Sequence, residues 1–282
     1  MTAIGGDDIN VGFTDSQIQR LREYGDDPRD DSSFDSADER ERAFSRLMSD
    51  LVSSNERALK GMIASPTRHQ LTRLEADIAE RLVSKGFIEV RTPAFISTAA
   101  LEKMTITPGH PLYKQVFFID EKRCLRPMLA PNLYYVMRKL RDHTDGPVRI
   151  FEIGSCFRKE SHSGAHLEEF TMLNLVEMGP VGDATEALKG HIADVMGVTG
   201  LDYALSVEES DVYKETLDVM VGDVEVSSGA VGPHVLDPAH DVHEPWSGVG
   251  FGLERLLMLM NDKGSVKKTG RSLSYLNGAK IN

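Results

Sequence analysis

Gly86 divides this chain into two textures, and their order limits the folds open to it. Before Gly86, apolar residues recur at helical spacing. Thr14 or Asp15 is placed to cap a helix carrying Ile18, Leu21 and Tyr24 on one face. Phe44, Leu47, Leu51, Ala58 and Met62 mark a longer helix that Pro66 ends, and Leu71, Leu74, Ile78 and Leu82 mark a third, over about 67–85. Residues 25–38 hold six Asp and a single large apolar side chain, Phe34, which predicts a loop or linker. After Gly86, strand-like runs take over at 87–92, 116–119, 124–126, 148–153, 171–178, 203–207, 216–221 and 224–228. Helices are predicted at 131–141 and 185–196, and a glycine-rich strand-to-helix passage spans 248–260. The expectation is an α+β fold: an antiparallel sheet flanked by helices and preceded by amino-terminal helices. The implied division is an acidic helical extension over 1–65 and a main domain over 66–282.

Charge removes one class of function. Lys and Arg total 32 against 44 Asp and Glu, a net charge of −12, and −8 of it lies in residues 1–56. A generic polyanion binder would carry the opposite sign, so any nucleic-acid contact must come from local basic patches. The acidic excess is read either as a solvated surface or as adaptation to the salty cytoplasm of a halophilic, archaeal type of source. On the second reading, the melting temperature should rise between about 0.1 and 2 M KCl as screening relieves like-charge repulsion. A flat or falling Tm across that range would refute it.

Other absences narrow the chemistry. The longest apolar helical run, 256–260, is five residues, far short of a membrane span. The amino terminus lacks the pattern of a secretory signal, and the expected location is the cytoplasm. The two cysteines, Cys124 and Cys156, form no CxxC pair. There is no P-loop, no GxGxxG, no HExxH and no GxSxG. His240 and His243 have metal-like spacing but no supporting ligand nearby, so ordinary loop histidines explain them.

Three local patterns carry chemistry. Phe157-Arg158-Lys159-Glu160 ends one strand, and a polar loop through His166 and Leu167 leads to Phe170 and a second strand. Gly248, Gly250 and Gly252 lie on a strand that enters a helix with Arg255 in its first turn. The third is 86–93, a strand ending at Pro93 after an amphipathic helix. Singly, each has a structural explanation. In this order they resemble the three signature motifs of the class II aminoacyl-tRNA synthetases. The stretches 129–134, 150–154, 168–174, 246–255 and 271–278 further resemble the pyrrolysyl-tRNA synthetase family, over about residues 60–282.

That resemblance implies activation of an amino acid by ATP, then transfer to a tRNA. It implies Arg158 at the α-phosphate, and Arg255 at the γ-phosphate side covering one face of the adenine, with Phe170 stacked on the other. Glu160, His166 and Leu167 would hold the adenine edge, and Glu225 with Ser228 a Mg2+ ion on the triphosphate. The implied amino-acid pocket is Ala130, Leu133, Tyr134, Met137, Asn174, Val176, Tyr213 and Trp246. This is an apolar tunnel with one amide, which suits a capped lysine derivative better than lysine. A homodimer is implied, with the 71–82 helix and the Pro93 strand at its interface. The basic groups at Arg138, Lys139 and Arg141, and at Lys267, Lys268 and Arg271, are the local candidates for tRNA contact. Two alternatives stay open: another class II ligase, such as one for phenylalanine or phosphoserine, and a non-catalytic synthetase-like tRNA-binding protein.

Overall fold

Three helices lead the chain: α1 (Asp15–Tyr24), α2 (Ala37–Ala64) and α3 (Gln70–Ser84). The computed structural model describes residues 11–25, 33–159, 167–210 and 212–282. Thr14 caps α1 in a reciprocal box with Gln17, as the sequence predicts, and Gly86, at φ +85°, ends the turn after α3. Half of the predicted linker, 26–32, lies outside the described residues. The elements that follow are β1 (Ile88–Glu89), β2 (Phe95–Ser97), α4 (Thr98–Lys103), β3 (Arg123–Leu125), α5 (Ala130–Arg141), β4 (Val148–Phe157) and β5 (Glu169–Met178). Then come α6 (Ala184–Thr199), β6 (Ala204–Ser210), β7 (Lys214–Val221), β8 (Val224–Gly232), β9 (Trp246–Gly252) and α7 (Leu253–Met260). A small hairpin, β10 (Tyr275–Leu276) and β11 (Ala279–Lys280), closes the chain.

Seven strands form one sheet in the order β1-β4-β5-β9-β8-β7-β6. Every neighbouring pair is antiparallel except β1 with β4, which is parallel. The α+β expectation holds, with that one amendment. The predicted strand 87–92 shrinks to two residues because its end is diverted. Thr92 gives its N–H and hydroxyl to Glu152 at 3.0 and 2.7 Å, and Pro93 has no N–H to give. Residues 116–119 contribute only the Phe118–Cys124 bridge, since Phe117 O and Ile119 N bond back to Leu125 and Arg123 in a tight turn.

Strand alternation sorts the side chains onto two faces. Phe151, Ile153, Leu173, Leu175, Val249 and Phe251 face α3, α6 and α7 in one core. Ile150, Cys156, Val176 and Trp246 face α5 and the β2–β3 region in a second. Leu71, Leu74, Ile78 and Leu82 of α3 belong to the first core and are nearly fully buried. The apolar stripe of α3 therefore packs inside its own chain. At the opposite end, Asn55 of α2 exchanges two hydrogen bonds with the Lys280 backbone at 2.8 and 2.6 Å, and Lys280 Nζ reaches Glu23 at 2.6 Å. The leading helices thus dock on the carboxyl-terminal hairpin.

Candidate active site

The second face of the sheet is where a cavity of about 670 Å3 opens, because β9 places glycine at 248, 250 and 252 on that side. Phe170, Met172, Asn174 and Val176 line it from β5, and Ala130, Leu133, Tyr134 and Met137 from α5. Arg158 and Leu167 enter from the connection between β4 and β5, Tyr213 from that between β6 and β7, Trp246 from β9 and Arg255 from α7. Glu225 and Ser228 of β8 complete the set. Every site residue expected from the sequence and described in the structure lines this one cavity. Glu160 and His166 lie outside the described residues.

Glu225 and Ser228 share the cavity through a bulge. Strict alternation puts residues three apart on opposite faces, but the β7–β8 register shifts between Val219 and Met220, pairing Ser228 with Asp218 and Glu225 with Met220. The extra residue, Val226, turns into the first core. Asp218, which the sequence reading missed, also lines the cavity, and its Oδ1 is buried without a hydrogen-bond partner. Burial, and then the Asp218 charge, push the Glu225 carboxyl above its ordinary range. Two hard oxygen donors with an unpaired carboxylate oxygen beside them fit a small divalent cation that keeps water and phosphate among its ligands.

The two arginines are anchored from behind. Arg255 Nη1 donates to Glu225 O at 2.7 Å, and Arg158 Nε donates to Pro127 O at 2.9 Å. The Arg158 guanidinium carbon stands 5.2 Å from the centroid of Phe170, over the ring that the motif reading reserves for adenine. Glu254, next to Arg255, is buried and accepts the Thr171 N–H at 2.8 and 2.9 Å through its two oxygens. Burial raises its pKa.

The other end of the cavity is aromatic. Tyr134 stacks on His240 with centroids 4.1 Å apart and meets Trp246 edge-on at 5.8 Å, while Tyr213 meets Trp246 at 5.9 Å. Burial pushes the Tyr134 and Tyr213 hydroxyls up and the His240 imidazole down. His240 is therefore a buried stacking partner and His243 reaches Asp241 at 3.4 Å; among the described residues no cluster of metal-ligating side chains forms around the pair. Asn174 donates through Nδ2 to Val249 O at 2.8 Å, so the amide rivets β5 to β9 as well as lining the cavity.

The basic patches are partly structural. Arg141 is paired with Glu244, Arg138 with Asp241 at 3.2 Å, and Lys268 is buried with Nζ on Arg22 O at 2.5 Å. Arg271 bonds Thr171 Oγ1 at 2.7 Å. Of the six bases proposed for tRNA contact, Lys139 and Lys267 are exposed, with no such tie among the described residues.

Comparison with known proteins agrees with this geometry. Residues 54–272 match the family of tRNA synthetases class II core domain (F). Two solved structures of pyrrolysyl-tRNA synthetase from Desulfitobacterium hafniense are similar at 45% and 44% identity, with TM-scores of 0.89 and 0.90. They cover 95% and 98% of this chain, and 98% and 100% of theirs. A lysine–tRNA ligase from Haemophilus influenzae is 28% identical over 235 residues, which is 79% of this chain and 41% of the relative. The chain spans less than half the length of the curated relatives it matches.

Proposed function

This chain belongs to the class II aminoacyl-tRNA synthetases and, within them, to the pyrrolysyl-tRNA synthetases, and we propose that it joins pyrrolysine to its cognate tRNA at the expense of ATP. The observation that carries the substrate is the occupied carboxylate behind the aromatic end. Asp237 accepts from Tyr134 Oη at 3.0 Å, Trp246 Nε1 at 2.9 Å and His234 N at 2.5 Å, so it has little left for an ammonium ion. The carboxylates of the wall itself, Glu209, Asp218, Glu225 and Glu254, come from β6, β7, β8 and α7. A free lysine would bury its charge among Leu133, Met137, Val176 and Trp246, whereas a lysine with an acylated ε-nitrogen buries none.

The chemistry follows from placement. The amino-acid carboxylate attacks the ATP α-phosphorus in line with the departing pyrophosphate, giving an aminoacyl-adenylate. The terminal adenosine hydroxyl of the tRNA then takes the acyl group and releases AMP. Such transfers need alignment and charge neutralisation more than a protein base. Arg158 would pair with α-phosphate oxygens and Arg255 with the γ-phosphate end. The two backbone anchors hold both guanidinium planes before substrate arrives, which lowers the cost of ordering them. Phe170 supplies one stacking face for adenine. Glu225 and Ser228 would hold Mg2+, which when bound neutralises triphosphate charge. We assign the dimer to surfaces other than the α3 stripe: Ile88 and Phe95, on either side of Pro93, are exposed.

Amino-acid-dependent ATP–pyrophosphate exchange tests the reading. Pyrrolysine and a carbamate-capped lysine should support exchange, and lysine and phenylalanine should not. Exchange with lysine or phenylalanine alone would overturn it.

Asn174 offers a sharper test. One of its two amide hydrogens goes to Val249 O, and the other is available to a side-chain carbonyl of the guest. Losing that donor should cost a capped lysine about tenfold to hundredfold in kcat/KM. In Asn174→Ala a bulky phenylalanine derivative, which needs no donor, should gain relative to it. Equal losses for both substrates would mean that the rivet to β9 is the residue's whole role.

A further inference from the structure

Asp237 lies outside the cavity wall, in a short 3-10 turn between β8 and β9, and is 1% exposed. Its two oxygens reach different parts of the wall. Oδ1 takes the Tyr134 hydroxyl from α5, and Oδ2 takes the Trp246 indole N–H from the start of β9. His234 N at Oδ2 fixes the turn itself. The indole fits closely: a Cβ on Gly232 would stand 2.0 Å from Trp246 Nε1.

A carboxylate that joins α5 to β9, bonded to a tyrosine 103 residues upstream of it and to an indole 9 residues downstream, through rings that both line the cavity, sets the distance between those rings. We propose that Asp237 is the positioning residue for amino-acid selection, locking Tyr134 and Trp246 so that the aromatic end keeps the width of a slender capped chain. It acts through these two rings and touches neither ATP nor the reacting carboxylate. Removing the acceptor leaves the indole N–H and the tyrosine hydroxyl to find new partners in an apolar setting, and the rings turn. The proposal rests on the ligase reading for its substrate, but the lock can be measured without one. The chain has a single tryptophan, Trp246, so its fluorescence reports on this contact alone.

Two variants test it. In Asp237→Ala, the emission maximum and acrylamide quenching of Trp246 in the substrate-free protein should change. In pyrophosphate exchange, KM for the capped lysine should rise about tenfold to hundredfold, with KM for ATP staying within about twofold of wild type. Asp237→Asn keeps the volume and an acceptor for the indole, and the Tyr134 hydroxyl can turn to accept from its amide. It should recover the wild-type emission and bring KM for the capped lysine to within about threefold. Unchanged emission in Asp237→Ala overturns the lock whatever the substrate. A parallel loss for ATP and the amino acid in Asp237→Ala, with no rescue by Asn, makes the residue merely structural and overturns the proposal. If wild type exchanges only with an uncapped amino acid, the capped-lysine reading fails and the fluorescence result stands by itself. If Asp237→Ala does not fold, Asp237→Asn and Tyr134→Phe decide: Tyr134→Phe, which removes one of the two locked groups, should raise KM for the capped lysine and not for ATP. Wild-type KM values in both variants overturn the proposal.

Discussion

Arg255→Ala should abolish measurable amino-acid activation while leaving the fold intact. Arg255 stands at the start of α7, its side chain is tied to Glu225 O at 2.7 Å, and it lines the cavity opposite the aromatic end. Charge develops on the phosphates as pyrophosphate departs, and a preorganised guanidinium meets it without reorganising. Loss of one such contact costs about hundredfold to thousandfold in rate. Arg158→Ala should behave alike, although its position over Phe170, 5.2 Å from the ring, adds a loss of stacking. Neither side chain belongs to either core, so Tm should move by no more than a few degrees. Pyrophosphate exchange at saturating amino acid reads the effect directly. Activity within about tenfold of wild type in either variant would remove that arginine from the phosphate site.

The contrast between these arginines and Glu225 shows which kinds of information a linear pattern carries. Arg158, Phe170 and Arg255 are legible because each sits in a stretch that resembles a signature motif, at a fixed offset from a strand end, and the motif order rather than any one residue marks them. Ala130, Leu133, Tyr134 and Met137 sit on one helix, where spacing declares an apolar face and only the resemblance marks it as a pocket. Glu225 and Ser228 are three apart, and period-two alternation separates them. What unites them is the bulge at Val226, set by the register against β7 rather than by any neighbour in sequence. Asp237 is harder still. Nothing around it in the loop 233–245 signals that its partners are Tyr134, far upstream on a helix, and an indole that follows.

The α3 stripe is the complementary case. Leu71, Leu74, Ile78 and Leu82 declare an amphipathic helix, and the helix is there. Periodicity states that an apolar face must be covered, but not by what. The resemblance puts the 71–82 helix at a subunit interface, which does not say what covers this face. In the structure, α6, α7 and the sheet cover it, because β5 and β9 present Leu173, Leu175, Val249 and Phe251 on that side.

Arg126→Ala should be the most destabilising of the substitutions considered. Arg126 and Glu152 are 5% and 1% exposed at their side chains and pair at 2.7 Å. The guanidinium also donates to Ser155 O at 2.8 Å and to Thr92 O and Oγ1 at 3.1 and 3.0 Å. Glu152 in turn takes the Thr92 N–H and hydroxyl. A Cβ at Gly154 would lie 2.2 Å from Arg126 Nη2, so the bare backbone there is what admits the guanidinium. Removing Arg126 strands a buried carboxylate, at a cost of about 3–5 kcal/mol. That is a fall of about 10 °C in Tm for a chain of this size. Asn132, at the start of α5, donates to Thr92 Oγ1 at 2.8 Å, so the damage should spread to the helix that carries Leu133, Tyr134 and Met137. KM for the amino acid should rise along with the loss of stability. A paired replacement, Arg126→Met with Glu152→Leu, removes both charges and should recover much of the stability, because a buried pair adds little over apolar packing of similar volume. Denaturant unfolding of the two proteins tests the point. A loss below about 1 kcal/mol in Arg126→Ala would mean that water reaches Glu152, and that the ion pair does not hold the root of the site together.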